Sequence, residues 1–100
     1  MNDLDIKVGS FFKRARKEKK LSGRELAKII SVSQQQISRY ENGKNSMSLS
    51  LINKLLIIFD KTWDDLNREV ISNYNEKMSD YSLKKRDYKF SNNAIRQPNL

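Results

Sequence analysis

Apolar residues near the start of the chain, Leu4, Val8, Phe11, Phe12 and Ala15, recur at three- and four-residue steps among charged neighbours. That spacing lines one side of an α-helix. Ser22-Gly23-Arg24-Glu25 comes next, a serine with a glutamate three residues on, which is the pattern of a capping box opening a second helix. Leu26, Ala27 and Ile30 give that helix an inner face. Ser31-Val32-Ser33 interrupts the period, and Ser33 with Gln36 repeats the cap-and-return spacing at the start of a third helix. The third helix ends at Asn42-Gly43, where glycine can take up the left-handed conformation that closes a helix. Ser48 caps a fourth helix carrying Leu49, Ile52, Leu55, Leu56 and Phe59 inward, and Thr62 with Asp65 offers another cap-like pair before Trp63 and Leu66.

The pattern predicts an all-α fold with five helices in residues 1–69, a helix-turn-helix at 22–42 and an exposed helix at 34–42 within it. Residues 70–100 form a C-terminal extension. The spacing Trp63, Leu66, Val70, Tyr74 and Met78 prolongs the fifth helix, although Ser72, Asn73 and Asn75 weaken it. From about Asp80 the chain is polar and basic, with Lys84, Lys85, Arg86 and Lys89, and reads as a tail or a partner-dependent segment.

Composition narrows the function classes. One hundred residues suffice for one modest core. Cysteine and histidine are both absent, which removes disulfides, thiolate nucleophiles, the usual general base near neutral pH and the commonest transition-metal ligands. An enzyme is therefore disfavoured, and no cofactor or metal is expected. The longest apolar run, Leu55 to Phe59, is far short of the roughly 18 to 20 residues that span a bilayer. With no signal-peptide pattern at the N-terminus, a cytoplasmic protein is expected. The net charge of +8 points to a polyanionic partner, and seven cations stand against Glu18 alone between Lys7 and Lys20.

Leu21 to Gly43, LSGRELAKIISVSQQQISRYENG, resembles the helix-turn-helix of the phage repressor and Cro family of bacterial regulators. Ala27 is small where two helices cross, Leu26, Ile30, Val32, Ile37 and Tyr40 fall at buried positions, and Arg-Tyr-Glu-Asn-Gly closes the third helix. The likeness runs from about Val8 to Leu66 and implies the five-helix lambda-repressor-like fold with double-stranded DNA as its partner. With Ile37 and Tyr40 facing inward, Gln34, Gln35, Ser38, Arg39 and Asn42 are turned to the opposite side at helical spacing. A glutamine amide pairs with the major-groove edge of adenine and an arginine fork with guanine. The resemblance places base contacts at Gln34, Gln35 and Arg39, with Ser38 beside them. Gln36 is accounted for by the capping box. For the phosphates, the helix starts at Ser22, Ser33 and Ser48, the cations Lys13, Arg14 and Lys44, and the polar Asn42 and Asn45 are the expected contacts. The resemblance also implies a buried ion pair between Arg16 and Glu41.

Several positions depart from the family. Gly23 stands where a glutamine usually braces the third helix and touches a phosphate, and Lys20, Ser31 and Asp60 stand at habitual glycines. A left-handed backbone at those three would cost about a kcal/mol each and leave a marginally stable domain.

Regulators of this kind act as two-fold dimers on palindromic sites. Candidates for the dimer surface are Ile57, Ile58, Trp63, Leu66, Val70, Ile71 and Tyr74. The run SQQQISRYENG is also similar to regulators encoded beside fimbrial operons. An alternative is an antitoxin that regulates its own operon and folds residues 70–100 onto a toxin. No membrane or small-molecule partner is expected.

Overall fold

The computed structural model describes residues 3–71, the side chain of Ile71 excepted. Helices α1 (Asp3–Glu18), α2 (Gly23–Ile29), α3 (Gln34–Glu41), α4 (Leu49–Ile58) and α5 (Trp63–Leu66) follow in order, and one π-helical turn, Asn67–Ile71, continues from α5. There is no strand among the described residues, so the fold is all-α. No helix among them is long and apolar enough to cross a membrane. The expectations for Tyr74, Met78 and the segment from Asp80 onward lie outside the described residues.

Each start after α1 is set by a hydroxyl. Ser22, Ser33, Ser48 and Thr62 sit in extended backbone and accept from the amides of Glu25, Gln36, Leu51 and Asp65. At α2 and α5 the box is complete: Ser22 N donates to Glu25 Oε1 at 2.7 Å and Thr62 N to Asp65 Oδ2 at 2.8 Å. At α3 it is half formed, because the Gln36 side chain does not return to Ser33 and instead donates from Nε2 to Asn45 Oδ1 at 3.3 Å. The capping box therefore does not account for Gln36. Between helices the chain reverses through left-handed residues, Lys20 (φ 59°), Ser31 (φ 59°), Gly43 (φ 74°) and Asp60 (φ 57°). Three of the four are not glycine.

The inner stripes meet in one core of Val8, Phe11, Phe12, Ala15, Leu26, Ala27, Ile30, Ile37, Ile52, Leu55, Leu56, Phe59, Leu66 and Val70. Phe12 lies at its centre, edge-on to Phe11 at a centroid distance of 5.1 Å and tilted against Phe59 at 6.3 Å. Such rings dominate core energetics through the area they bury. Some inward assignments need correction. Leu49, at the edge of the α4 stripe and in its first turn, is 74% exposed. Tyr40 is half-buried, and Val32 packs on the core from a half-buried position. Val70 is in the core, so the folded unit runs past residue 69.

Sequence periodicity gave no sign of how α1 and α3 are spaced. Gly9 faces the end of α3 so closely that a Cβ there would collide with the Tyr40 carbonyl and fall 2.7 Å from Glu41 O. The two backbones touch because Gly9 has no side chain.

Candidate nucleic-acid interface

α3 buries Ile37 and Glu41 and leaves Gln34, Gln35, Ser38, Arg39 and Asn42 exposed. At 100° per residue those five span a little under half of the helix circumference, one continuous polar face. The side-chain amides of Gln34 and Gln35 have no hydrogen-bond partner among the described residues, so each keeps a donor and an acceptor. Ser38 Oγ accepts from Asn42 Nδ2 at 3.3 Å and retains its own hydrogen. Arg39 Nε donates to Asn45 Oδ1 at 2.9 Å, while its two terminal nitrogens have no partner among the described residues.

What holds this face in place lies beneath it. Arg16 of α1 donates from Nε and Nη2 to the two oxygens of Glu41 at 2.7 and 3.0 Å, and from Nη1 to the Leu21 carbonyl at 2.7 Å. Both residues are buried, at 9% and 7% exposure. The carboxylate bond raises the guanidinium pKa above its ordinary value. One fork thus ties α1 to the end of α3 and to the approach to α2. With the Gly9 contact, the exposed helix is fixed against α1 at two points.

The residues expected at phosphates divide. Lys13 borders a notch of about 220 Å³ with Gly23, Gln34, Ser38 and Asn42, beside the exposed face of α3. A Cβ on Gly23 would meet only Ile37 Cγ2 at 3.9 Å, so a side chain at that position would have room beside the notch. Lys44 is exposed in the loop after α3. Arg14, by contrast, is turned to the π-helical turn and bonded to Glu69 Oε1 at 2.9 Å. Asn45 is turned to α3, its Oδ1 accepting from both Gln36 and Arg39. Ser22 has its amide on the Glu25 carboxylate. Backbone hydrogen bonds hold that carboxyl below its ordinary pKa, so an anion already occupies the start of α2. No acidic residue stands in the first turn of α3 or α4, which leaves the positive ends at Ser33 and Ser48 open to an external anion.

Among the dimer candidates, Ile57 is 72% and Trp63 46% exposed, whereas Leu66 and Val70 belong to the protomer's own core at 3% and 2%. Ile58 packs half-buried on that core. The side chain of Ile71 and all of Tyr74 lie outside the described residues. Leu49, which periodicity placed inward, joins Ile57 on the exposed line Leu49, Asn53, Ile57 of α4. Trp63 closes on that line through Nε1 to Asn53 Oδ1 at 3.0 Å.

A family model described as helix-turn-helix matches residues 12–66, which takes in α2, the exposed α3, α4, α5 and most of the core. The chain is similar to the antitoxin PezA of Streptococcus pneumoniae serotype 4, at 36% identity over 59 residues. That match takes in 59% of this chain, which spans 37% of the relative's length. No solved structure matches. With more than half of the chain inside the family model, and with the folded helices that such a model describes, the protein belongs to the phage repressor and Cro-like family of DNA-binding helix-turn-helix proteins.

Proposed function

We propose that the protein is a cytoplasmic transcriptional regulator that binds a palindromic operator as a homodimer and reads it with α3. The carrying observation is the exposed face of Gln34, Gln35, Ser38 and Arg39 on a helix clamped from behind by the Arg16–Glu41 pair. Gln34 and Gln35 read adenine edges and Arg39 reads a guanine, each good pair contributing about 1 to 3 kcal/mol of discrimination. Lys13, Lys44, Asn42 and the amides at Ser33 and Ser48 hold phosphates and set the register. Arg14, paired with Glu69, and Ser22, whose amide is on the Glu25 carboxylate, drop out of that set, and Asn45, whose Oδ1 accepts from Arg39 and Gln36, is assigned to α3 rather than to a phosphate. The dimer uses the exposed Leu49, Ile57 and Trp63 surface, which a single small module needs because alone it covers too little DNA.

Selection of bound duplexes from a random DNA pool, run with the wild type and with Gln35→Ala and Arg39→Ala, tests this reading. It predicts a two-fold symmetric consensus from which each variant loses preference at its own base pairs. A uniform weakening across sequences would reduce those residues to backbone contacts, and an asymmetric single half-site would remove the dimer. Fimbrial or motility genes are the targets suggested by the SQQQISRYENG run.

Similarity to an antitoxin favours a second reading, in which the same domain regulates a two-gene operon and residues 70–100 bind the neighbouring gene's product. Growth arrest by that product, relieved by co-expression of this chain, is its expected sign. An adjacent reading frame with no such effect counts against it.

A further inference from the structure

Within the proposed base-reading set, Arg39 is held by a residue of the loop beyond the end of α3. Asn45 Oδ1 accepts from Arg39 Nε at 2.9 Å and from Gln36 Nε2 at 3.3 Å. The loop that carries Asn45 is itself pinned. The amides of Lys44 and Asn45 both donate to the Arg39 carbonyl, at 2.9 and 3.4 Å. Gly43, left-handed at φ 74°, lies so close to α1 that a Cβ would fall 2.6 Å from Ile6 Cα. On the other side, Ser46 Oγ donates to Asp5 Oδ2 at 2.7 Å. Asn45 therefore stands between two attachments to the first turns of α1, and its amide oxygen is a fixed point facing α3.

We infer that Asn45 is a positioning residue for base recognition, acting through Arg39. An arginine can offer guanine either its two terminal nitrogens or Nε with one of them. With Nε taken by Asn45, only the terminal pair is left, so Arg39 reads guanine end-on. The bond also restricts a long side chain before DNA arrives, which lowers the ordering cost of binding. Gln36, the second donor to the same oxygen, keeps the Asn45 amide from turning its nitrogen toward Arg39. The inference rests on Arg39 reading a base.

The test is equilibrium binding of the full chain to the selected duplex and to duplexes changed at each base pair, with Asn45→Ala, Asn45→Asp, Arg39→Ala and the double variant Arg39→Ala/Asn45→Ala. Asn45→Ala is expected to lose about three- to tenfold of discrimination at the base pair read by Arg39 and at no other. Asn45→Asp keeps the acceptor, so discrimination persists while its added negative charge weakens binding to every sequence. In the Arg39→Ala background, Asn45→Ala has no further effect at that base pair. Equal weakening of all duplexes by Asn45→Ala would make Asn45 a phosphate contact and overturn the inference. So would full discrimination in Asn45→Ala when Arg39→Ala has lost it. If Arg39→Ala itself leaves base preference intact, the reading of Arg39 fails first and takes the role of Asn45 with it.

Discussion

Two groups of residues carry consequences out of proportion to their number. Arg16 and Glu41 are buried charges that satisfy each other, and removing one leaves the other without its counterion in a poorly solvated place. Arg16→Met or Glu41→Leu alone is expected to lose on the order of 3 to 5 kcal/mol of unfolding free energy, and the double variant to recover part of it. Chemical denaturation of the four proteins checks this, and strict additivity of the single losses would dissolve the pairing. Lys20, Ser31 and Asp60 hold left-handed backbone that side chains disfavour. Replacing each by glycine is expected to stabilise the fold by about 1 kcal/mol, read as a shift of the denaturation midpoint. An unchanged or lowered midpoint would mean that side-chain contacts at these turns outweigh the strain.

At the scale of elements, the two complete capping boxes make stability depend on acid. Backbone hydrogen bonds favour the charged forms of Glu25 and Asp65, so both carboxyls titrate below their ordinary values in the folded chain. The unfolded chain takes up these protons first. The boxes therefore contribute fully above the ordinary carboxylate range, and the contribution is lost as pH falls through the lowered values. A Glu25→Gln/Asp65→Asn variant is expected to lose less stability over that acid range than the wild type, measured as urea midpoint against pH; parallel curves would contradict it. These boxes were legible in the sequence because a cap and its partner are three residues apart. The helices were legible for the same reason, since periodicity is local. Apart from the Arg16–Glu41 pair, which the family resemblance implied, what two distant segments impose on each other could not be read from local pattern. Gly9 looks ordinary until α3 is laid across it, and Gln36 fits a capping pattern until Asn45 comes within reach. Leu49 has the spacing of the core stripe but is the first residue of α4 and stays exposed.

Over the whole molecule, the cations that look like one basic helix face in sequence are sent to different tasks. Arg16 goes into the interior, Arg14 pairs with Glu69, and Lys13 borders the notch beside α3. Lys17, Lys19 and Lys20 remain exposed and add to a net charge of +8. Net charge alone draws any polyanion nearby, whereas a register of cations and helix ends around α3 neutralises a fixed number of phosphates. The central claim, that α3 and its surroundings form a DNA-binding face, is tested most directly by the salt dependence of binding to the selected duplex. The log of the association constant is expected to fall linearly with the log of salt, by about 0.9 per phosphate neutralised, and Lys13→Ala and Lys44→Ala each to reduce that slope by about one. A flat response to salt, or slopes unmoved by both substitutions, would contradict it.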